Sequence, residues 1–414
     1  MAALQPVRGT HDLFPEEYRR HRQVVETARA VSARAGYGEM ALPIFEFTDV
    51  FQRTLGETSD VVTKEMYTFE DRGGDRITLR PEATAGVARA LISGGLSQDL
   101  PLKVFVSGPM FRYERPQKGR LRQFHQIDIE LMGVAEPLGD VEVIAVGAQI
   151  LEALGVLDRT TLEINTLGDG ESRTAFRDAL VDYLSAHRSA LSEDSRERLD
   201  RNPLRILDSK NEEDRRIVEG APAFGDYLNA TSRDFFAAVL GGLDSLGIAY
   251  TLNQRLVRGL DYYCHTAFEF TTTDLGSQGA VLAGGRYDGL VSTMGGPATP
   301  GVGWAGGIER LAMLAGDPDP APRPIAVVPI GEAAAAVALP LAHRLRAAGF
   351  VAELGYRGNL QRRMKRANKI GARAAVIMGD DELAADSATV RDLDSGEQEQ
   401  VALGALQDYL GRFR

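Results

Sequence analysis

Residues 111–130 constrain the fold of this chain most, because they combine two patterns that together predict a hairpin with a basic loop. Between Arg112 and Arg122 there are five Lys or Arg residues and one acid, Glu114, in a protein of formal net charge −11. Over 126–131 polar and apolar residues alternate, which predicts a strand with one polar and one apolar face. A cationic loop beside a polar strand face favours a polyphosphate site. An exposed edge hairpin with a charged tip is the alternative.

Length and composition are those of a globular protein with two or three domains. The chain has 414 residues, of which 44% are hydrophobic and 25% charged. Its one cysteine, Cys264, excludes an intrachain disulfide and a zinc site built on clustered cysteines. No uncharged apolar run approaches the ~20 residues that span a bilayer, and the N-terminal residues lack the apolar core of a signal peptide. We therefore expect a cytoplasmic protein that does not act at a membrane.

The negative charge is unevenly distributed along the chain. Residues 323–414 contain 13 Lys or Arg and 11 Asp or Glu, so the excess of acid lies in the first 322 residues. Seven of those 13 basic residues fall within 357–373, and no acid occurs between Gly355 and Gly379. A solvated helix face explains most charge runs. A basic stripe of this density also suits contact with RNA, which is the interpretation we favour here.

The first part of the chain, over 1–320, predicts a mixed α/β (α+β) domain. Many connections between its strands are too short for crossover helices, which indicates a largely antiparallel sheet with helices around it. Residues 169–229 are polar and charge-rich, and they predict a helical insertion into this domain. The main predicted elements are helices at 16–35, 141–154, 174–186 and 193–199, and strands at 77–80, 104–106, 110–114, 127–131 and 267–272.

A second, smaller domain is predicted over 325–414. Residues 317–324 contain four prolines and predict a stiff linker before it. Beyond the linker, strands and helices alternate in the manner of a small α/β domain. The predicted elements are strands at 325–330, 351–354 and 374–378, helices at 332–348 and 359–370, two short strands around 394–396, and a last helix.

Two further segments carry residues suited to binding charge. In Leu-Arg-Pro-Glu-Ala-Thr-Ala-Gly (79–86), Glu82 follows a strand, where a carboxylate can bind an ammonium group or cap a helix. In Leu-Val-Arg-Gly-Leu-Asp-Tyr-Tyr (256–263), Arg258 precedes two tyrosines. A buried arginine needs an anion, and tyrosines can line a heteroaromatic ligand. An ordinary strand entry, with Asp261 paired to Arg258, is the alternative.

Two glycine-rich segments follow. Ala-Gly-Gly-Arg-Tyr-Asp-Gly (283–289) predicts either a phosphate-binding loop or, more simply, a tight turn. Gly-Val-Gly-Trp-Ala-Gly-Gly-Ile-Glu-Arg (301–310) predicts a strand that runs into a helix carrying Arg310, with a glycine-softened helix as the alternative. The chain has no Gly-x-x-x-x-Gly-Lys-Ser/Thr sequence, so a P-loop is unsupported.

Together these segments resemble a known family. Phe-Arg-Tyr-Glu (111–114), the basic loop and Arg-Gln-Phe-His-Gln (122–126) resemble motif 2 of class II aminoacyl-tRNA synthetases, in the form found in histidyl-tRNA synthetases. The two glycine-rich segments and 256–263 are similar to that family's motif 3 and histidine-specific motifs. Pro43 with 47–59 is similar to motif 1, the dimer-forming motif. The resemblance implies a class II catalytic domain, a C-terminal anticodon-binding domain and a homodimer.

The resemblance also implies a reaction and its residues. Histidine and ATP would give histidyl-adenylate, from which histidine passes to the 3′ end of tRNA(His). Arg112 and Arg258 would be catalytic at the α-phosphate, and Mg²⁺ would be bound through the ATP phosphates with no metal ion held by the protein itself. The ATP-binding residues implied are Arg112, Glu114, Arg120 and Arg310. The histidine-binding residues implied are Glu82, Thr84, Gln126, Glu130, Arg258, Tyr263 and Tyr287.

For tRNA, the resemblance implies contacts in both domains. Arg115 and Gln117 on the hairpin loop are candidates for the acceptor end. In the C-terminal domain the candidates are Arg362, Arg363, Lys365, Arg366 and Lys369. The alternative function is that of a synthetase-like regulatory subunit of ATP phosphoribosyltransferase, which charges no tRNA. Such proteins generally lack the C-terminal domain and have decayed histidine-specific motifs. Here that domain is present and Arg112, Arg258 and Arg310 are all in place, so we expect the synthetase.

Overall fold

The computed structural model describes residues 3–56, 59, 61–117, 119–209, 211–260, 262–276 and 279–414. It divides into two compact units, Met1–Pro318 and Asp319–Arg414. Lys118 of the basic loop, Asp261 beside Arg258, and positions 57 and 58 of the motif 1 segment lie outside the described residues. Among the described residues, none of the helices combines the length and apolarity needed to cross a membrane.

The first unit is built on a central sheet of eight strands and a small sheet of three. Its strands are β1 (Gly38–Glu39), β2 (Phe45–Phe47), β3 (Tyr67–Glu70), β4 (Arg76–Leu79), β5 (Leu102–Phe111), β6 (Gln123–Met132), β7 (Thr161–Thr166), β8 (Thr251–Leu252), β9 (Cys264–Thr271), β10 (Ala280–Arg286) and β11 (Gly301–Gly307). The central order is β1-β5-β6-β11-β10-β9-β7-β8. All pairs from β5 to β7 are antiparallel, which confirms the predicted sheet type.

Helices cover the sheet and enclose its core. They are α1 (Pro15–Arg34), α2 (Thr48–Gln52), α3 (Thr84–Ser93), α4 (Pro137–Ala153), α5 (Gly170–Ala186), α6 (Glu193–Arg201), α7 (Glu212–Val218), α8 (Ala230–Ser245), α9 (Leu290–Thr293) and α10 (Ile308–Leu314). The predicted helix at 16–35 is confirmed as α1. Pro15 occupies its first turn, and its buried Val24, Ala28 and Val31 join the core with residues of α4 and the central sheet.

The segment containing α5, α6 and α7 has an apolar core of its own. Phe176, Leu180 and Leu184 of α5 pack there against residues of the following turns. Asp214 on α7 fixes the fold of this segment, because its Oδ2 accepts hydrogen bonds from Ser195 Oγ and Ser209 Oγ, each at 2.6 Å. The structure thus contains helices where the sequence predicted a helical insertion.

One strand prediction needs correction. The sequence suggested separate strands at 104–106 and 110–114, but the structure has the single strand β5, which ends at Phe111. Its register with β6 continues through Gly108 and Pro109 without a break. The strand ends because the backbone N–H of Tyr113 does not pair with β6 and instead donates to Glu65 O at 2.7 Å.

The second unit is a small α/β domain, as predicted. Its sheet order is β13-β12-β14-β15-β16, in which β13, β12 and β14 are parallel and the last two strands antiparallel. The strands are β12 (Ile325–Pro329), β13 (Ala352–Leu354), β14 (Ala374–Met378), β15 (Ser387–Asp392) and β16 (Gln398–Ala402). The helices are α11 (Glu332–Ala347), α12 (Leu360–Lys369), α13 (Asp380–Ala384) and α14 (Leu406–Leu410).

Candidate active site

A cavity of about 310 Å³ lies where the central sheet, the basic hairpin and the start of α10 meet. Its floor comes from β6, β9, β10 and β11, and one wall comes from the hairpin loop. Nine of the residues singled out in the sequence line it: Glu82, Thr84, Arg112, Glu114, Arg120, Gln126, Arg258, Tyr263 and Arg310. Glu130 and Tyr287 do not line it, and both are almost completely buried.

Strand β6 places three polar side chains on one face of the sheet. Gln126, Asp128 and Glu130 alternate with the fully buried Ile127 and Ile129, as the sequence predicted. Asp128 and Glu130 are themselves buried, so the polar face of this strand is shielded from water. Such groups are stable only with hydrogen-bond partners or a counter-charge.

Glu130 has a partner for each carboxylate oxygen. Thr84 Oγ1 donates to Glu130 Oε1 at 2.5 Å, and the Tyr287 hydroxyl donates to Oε2. Burial raises the pKa of Glu130 to about 8, against the lowering effect of these two hydrogen bonds. Burial therefore favours the neutral form of this carboxyl group at neutral pH.

Glycines of β11 make room for this pair. A Cβ at Gly303 would lie 1.8 Å from Glu130 Oε2, and a Cβ at Gly301 would lie 2.3 Å from the Tyr287 ring. Glycine is therefore needed at these two positions, because the side chains of Glu130 and Tyr287 approach the backbone of β11 too closely for a Cβ. The segment 301–310 is a strand followed by a helix, as predicted. Its Gly301 and Gly303 leave room for the side chains of Tyr287 and Glu130.

Glu82 binds backbone N–H groups at the start of a helix, which is one of the two roles that the sequence predicted for it. Its carboxylate accepts hydrogen bonds from the backbone N–H groups of Thr84, at 2.7 Å, and Ala85, at 2.9 Å, at the start of α3. It also lines the cavity. Burial raises its pKa, while these hydrogen bonds and the charge of Arg112 act in the opposite direction.

Asp128 is a site residue that the sequence analysis did not single out, although alternation placed it on the polar face of β6. Its Oδ2 and Gln126 Oε1 are buried and have no hydrogen-bond partner. Burial raises the pKa of Asp128 well above its usual value, and the nearby charges of Glu130 and Glu82 raise it further. Two carboxyl groups, Glu82 and Asp128, thus line one part of the cavity with Glu130 buried close by, which suits a cationic ligand group.

Arginines define the other end. Arg112 Nε donates to Pro81 O at 2.9 Å, and Arg310 donates to Gly119 O at 3.1 Å and to Ala280 O at 2.7 Å. Burial lowers the pKa of Arg310, and the positive charges of Arg120 and Arg112 lower it further. Backbone carbonyls therefore hold several positive charges close together, an arrangement that suits an anion.

Two more arginines are paired with carboxylates in the cavity wall. Arg258 Nη1 forms an ion pair with Glu269 of β9, and Arg120 pairs with Glu114. Glu269 is another residue that the sequence analysis missed, because the segment 267–272 was interpreted only as a strand. The guanidinium of Arg258 also lies over the Tyr263 ring, 5.4 Å from its centroid.

Three tyrosines pack beside the carboxyl end. The ring centroids of Tyr262 and Tyr263 are 4.5 Å apart, and Tyr287 lies 5.6 Å from Tyr262 and 6.4 Å from Tyr263. Burial raises the pKa of all three hydroxyls, so they remain neutral hydrogen-bonding groups. A planar ligand ring can contact Tyr262 and Tyr263, which line the cavity.

The residues predicted to contact tRNA are mostly exposed. Arg115 and Gln117 project from the hairpin loop of the first unit. In the second unit α12 exposes Arg362, Lys365, Arg366 and Lys369, whereas Arg363 is half-buried. Arg373, which completes the basic stripe in the sequence, is paired with Asp392 at 2.6 Å and with Asp394 at 3.0 Å.

This chain is similar to known proteins over nearly its whole length. The family model for histidyl-tRNA synthetase matches residues 9–311, and that for an anticodon binding domain matches 324–412. A histidine–tRNA ligase of Rhodospirillum rubrum is 65% identical over 414 residues, covering 100% of both chains. One of Gluconacetobacter diazotrophicus is 59% identical over 410 residues, covering 99% of both. The crystal structure of apo S. aureus histidyl-tRNA synthetase is 34% identical with a TM-score of 0.82, covering 98% of this chain and 99% of that one.

Proposed function

We propose residue roles from one premise: this chain belongs to the histidyl-tRNA synthetase family. It is an aminoacyl-tRNA synthetase for histidine, and the full-length relatives favour this function over that of a regulatory subunit. The observation that carries the residue assignment is the polarity of the cavity. Glu82 and Asp128, both buried, line one part of it with Glu130 buried close by, and four arginines line another part. Histidine with ATP has the matching polarity, an ammonium group at one end and phosphates at the other.

At the arginine end the cavity binds ATP. Arg112 and Arg258 contact the α-phosphate, Arg120 and Arg310 hold the outer phosphates, and Glu114 helps to seat the adenine. Carboxylates of Glu114 and Glu269 line the same region, and oxygen ligands suit Mg²⁺, so the residues present fit an ion held chiefly through the phosphates. Bound Mg²⁺ supplies neutralising charge for the phosphates.

Adenylate formation needs positioning and charge stabilisation in this site. An oxygen of the histidine carboxylate attacks the α-phosphorus, and pyrophosphate leaves. No protein base is required, because the attacking carboxylate is already ionised. The positive charges of Arg112 and Arg258 stabilise the charge that develops on the α-phosphate oxygens. In the second step the 3′ hydroxyl of tRNA(His) attacks the carbonyl carbon of the adenylate, and AMP leaves.

At the carboxyl end the cavity binds histidine. Glu82, Thr84 and Gln126 hold its backbone groups, and the unpartnered oxygens of Gln126 and Asp128 are acceptors for the ammonium group. Glu130, Tyr263 and Tyr287 read the imidazole, since a carboxyl group and a phenol can serve both ring nitrogens. In this structure the Tyr287 hydroxyl and Thr84 Oγ1 both donate to Glu130. Recognition of the imidazole therefore requires either that the Glu130–Tyr287 pair rearranges or that Thr84 links the imidazole to Glu130.

For tRNA we assign Arg115 and Gln117 to the acceptor end. The exposed basic residues of α12 (Arg362, Lys365, Arg366 and Lys369) are assigned to the RNA backbone, together with Arg363. The tRNA substrate also supports a cytoplasmic location for the enzyme.

We assign the homodimer contact to the small sheet of β2, β4 and β3. Phe47, Ile77 and Phe69 lie opposite one another in its register and share one face, on which Phe47 and Phe69 are 61% and 47% exposed. The opposite face is directed inwards, because Thr78 is buried and donates to Thr48 Oγ1 at 3.0 Å. An apolar face of this kind suits a second copy of the chain. A mass in solution of one chain would contradict the assignment.

Histidine-dependent exchange of labelled pyrophosphate into ATP tests the assigned chemistry. We expect exchange with histidine and none with the other amino acids. Glu130→Gln should weaken histidine binding at least tenfold, because a buried acceptor for the imidazole is altered. Glu39→Gln, an exposed strand residue, is the matched control. Absence of exchange, with histidine still bound, would favour the regulatory-subunit alternative.

A further inference from the structure

A second group of chemically active side chains lies outside the residues assigned above. His21 of α1, His125 of β6 and Glu309 of α10 come together from three separate elements. Each residue offers one possible ligand atom, and these atoms all lie within 4.8 Å of one another. Two imidazoles and a carboxylate form a common donor set for zinc in proteins.

The geometry of this group is fixed by the fold. Both oxygens of Glu309 accept from the backbone N–H of His125 at 3.0 Å, and Oε1 lies 2.8 Å from His125 Nδ1. The rings of His21 and His125 are edge-to-face, with centroids 5.6 Å apart. His21 is buried, and the side chains of His125 and Glu309 are only 25% and 13% exposed. The donors are therefore largely withdrawn from water and held near one another.

Space is available beside the group. A cavity of about 300 Å³, separate from the one assigned to ATP and histidine, is lined by His21 and Glu309 and reaches Gln117 of the hairpin loop. A metal ion with three protein ligands keeps a coordination position for water, and this cavity can hold that water. Glu309 lines both cavities, and the next residue is Arg310.

We propose that His21, His125 and Glu309 bind one divalent transition-metal ion of the Zn²⁺ class. The ion takes the place of the proton between His125 Nδ1 and Glu309 Oε1, and that proton leaves to solvent. Tetrahedral bonds of 2.0–2.1 Å place ligand atoms roughly 3.3 Å apart. The ligand atoms lie within 4.8 Å of one another, so binding requires each pair to approach by at most about 1.5 Å. The site is distinct from Mg²⁺ carried by ATP.

Metal binding by nucleotide-free, metal-stripped protein tests this proposal directly. Equilibrium dialysis against Zn²⁺, followed by elemental analysis, should give one bound ion per chain. His21→Gln should weaken that binding at least tenfold, because it replaces an imidazole ligand with a poor one. His343→Gln, which changes an exposed histidine on α11, should leave the affinity unchanged. Failure to retain Zn²⁺, or equal affinity in wild type and His21→Gln, would overturn the proposal.

A second measurement needs no variant and so does not depend on whether His21→Gln folds. Diethyl pyrocarbonate modifies neutral imidazoles, and peptide mapping resolves each histidine. We expect Zn²⁺ to slow modification of His125 severalfold and to leave that of His343 unaffected. Equal rates at His125 with and without Zn²⁺ would show that its ring is not a ligand, and that result would overturn the proposal.

Discussion

Two regions of this protein concentrate positive charge, and they hold it differently. In the cavity, Arg112 and Arg310 donate to backbone carbonyls, and Arg258 pairs with Glu269. On α12, Arg362 and Lys365 are exposed on the surface of the helix. Buried, oriented charges act at full strength in a weakly screened environment, whereas surface charges are screened by salt. The same residue types should therefore give large effects in the cavity and small, salt-dependent effects on α12.

Replacing Arg258 by Ala should give the largest effect. Removal of one oriented charge at a developing anion typically costs about 2.7–4 kcal/mol, so adenylate formation should slow by roughly 10²–10³-fold. Histidine binding should fall only modestly, because the ammonium and imidazole contacts remain. Pre-steady-state formation of adenylate and equilibrium histidine binding measure the two quantities separately.

Arg255→Ala is the matched control for that variant. Arg255 lies three residues earlier in the same segment, and it is exposed. Its removal should leave both the adenylation rate and histidine binding unchanged. An Arg258→Ala enzyme that forms adenylate at the wild-type rate would remove this arginine from the mechanism.

Gly303→Ala tests whether the carboxyl end is as rigid as the arginine end. The new Cβ would lie 1.8 Å from Glu130 Oε2 and 2.5 Å from Ile129 O, so Glu130 must move. Overpacking of this kind typically costs about 1–3 kcal/mol, and we expect a lower melting temperature together with weaker histidine binding. Gly316→Ala, where a Cβ would meet nothing within 4 Å, should change neither property. Wild-type histidine affinity in Gly303→Ala would mean that the position of Glu130 is unimportant.

The raised pKa of Glu130 predicts how the stability of the first unit depends on pH. In the folded protein the carboxyl remains neutral up to a pKa of about 8, but in the unfolded chain it ionises above its ordinary value of 4.5. Between these values the folded state holds the extra proton, so its stability falls as pH rises, by about 1.4 kcal/mol per pH unit from this group. Urea unfolding of wild type and Glu130→Gln should diverge across this range. Parallel pH curves would show that Glu130 is ionised in the folded state.

The two regions also differ in how far the sequence could predict them. Helix α12 was predicted at 359–370 and is observed at Leu360–Lys369, with Asn359 accepting a hydrogen bond from Arg362 N–H at its start. This prediction needed only neighbouring residues, because capping and charge patterning are local. The polar face of β6 was predicted for the same reason, since alternation is a property of one strand.

The cavity depends on contacts that no local pattern contains. Glu130 bonds to Thr84, 46 positions away, and to Tyr287, 157 positions away. The resemblance to a family implied that these residues act together, but it did not indicate their mutual hydrogen bonds. Glu269 was missed because 267–272 was interpreted only as a strand, and its partner Arg258 lies in another segment. Long-range partners of this kind become visible only when the sheet order is known.

The smallest effect is expected for α12, and it also shows most directly how the regions differ. Removing two exposed charges with Arg362→Ala and Lys365→Ala should weaken tRNA binding a few-fold at low salt. Each lost phosphate contact should reduce the slope of log K against log salt by about 0.7–0.9. Arg344→Ala, an exposed residue on α11, is the control for the loss of surface charge alone. If the double variant binds tRNA with the wild-type affinity and salt slope, α12 is a solvated face. If its affinity falls without a change in slope, these residues contact RNA groups other than the phosphates.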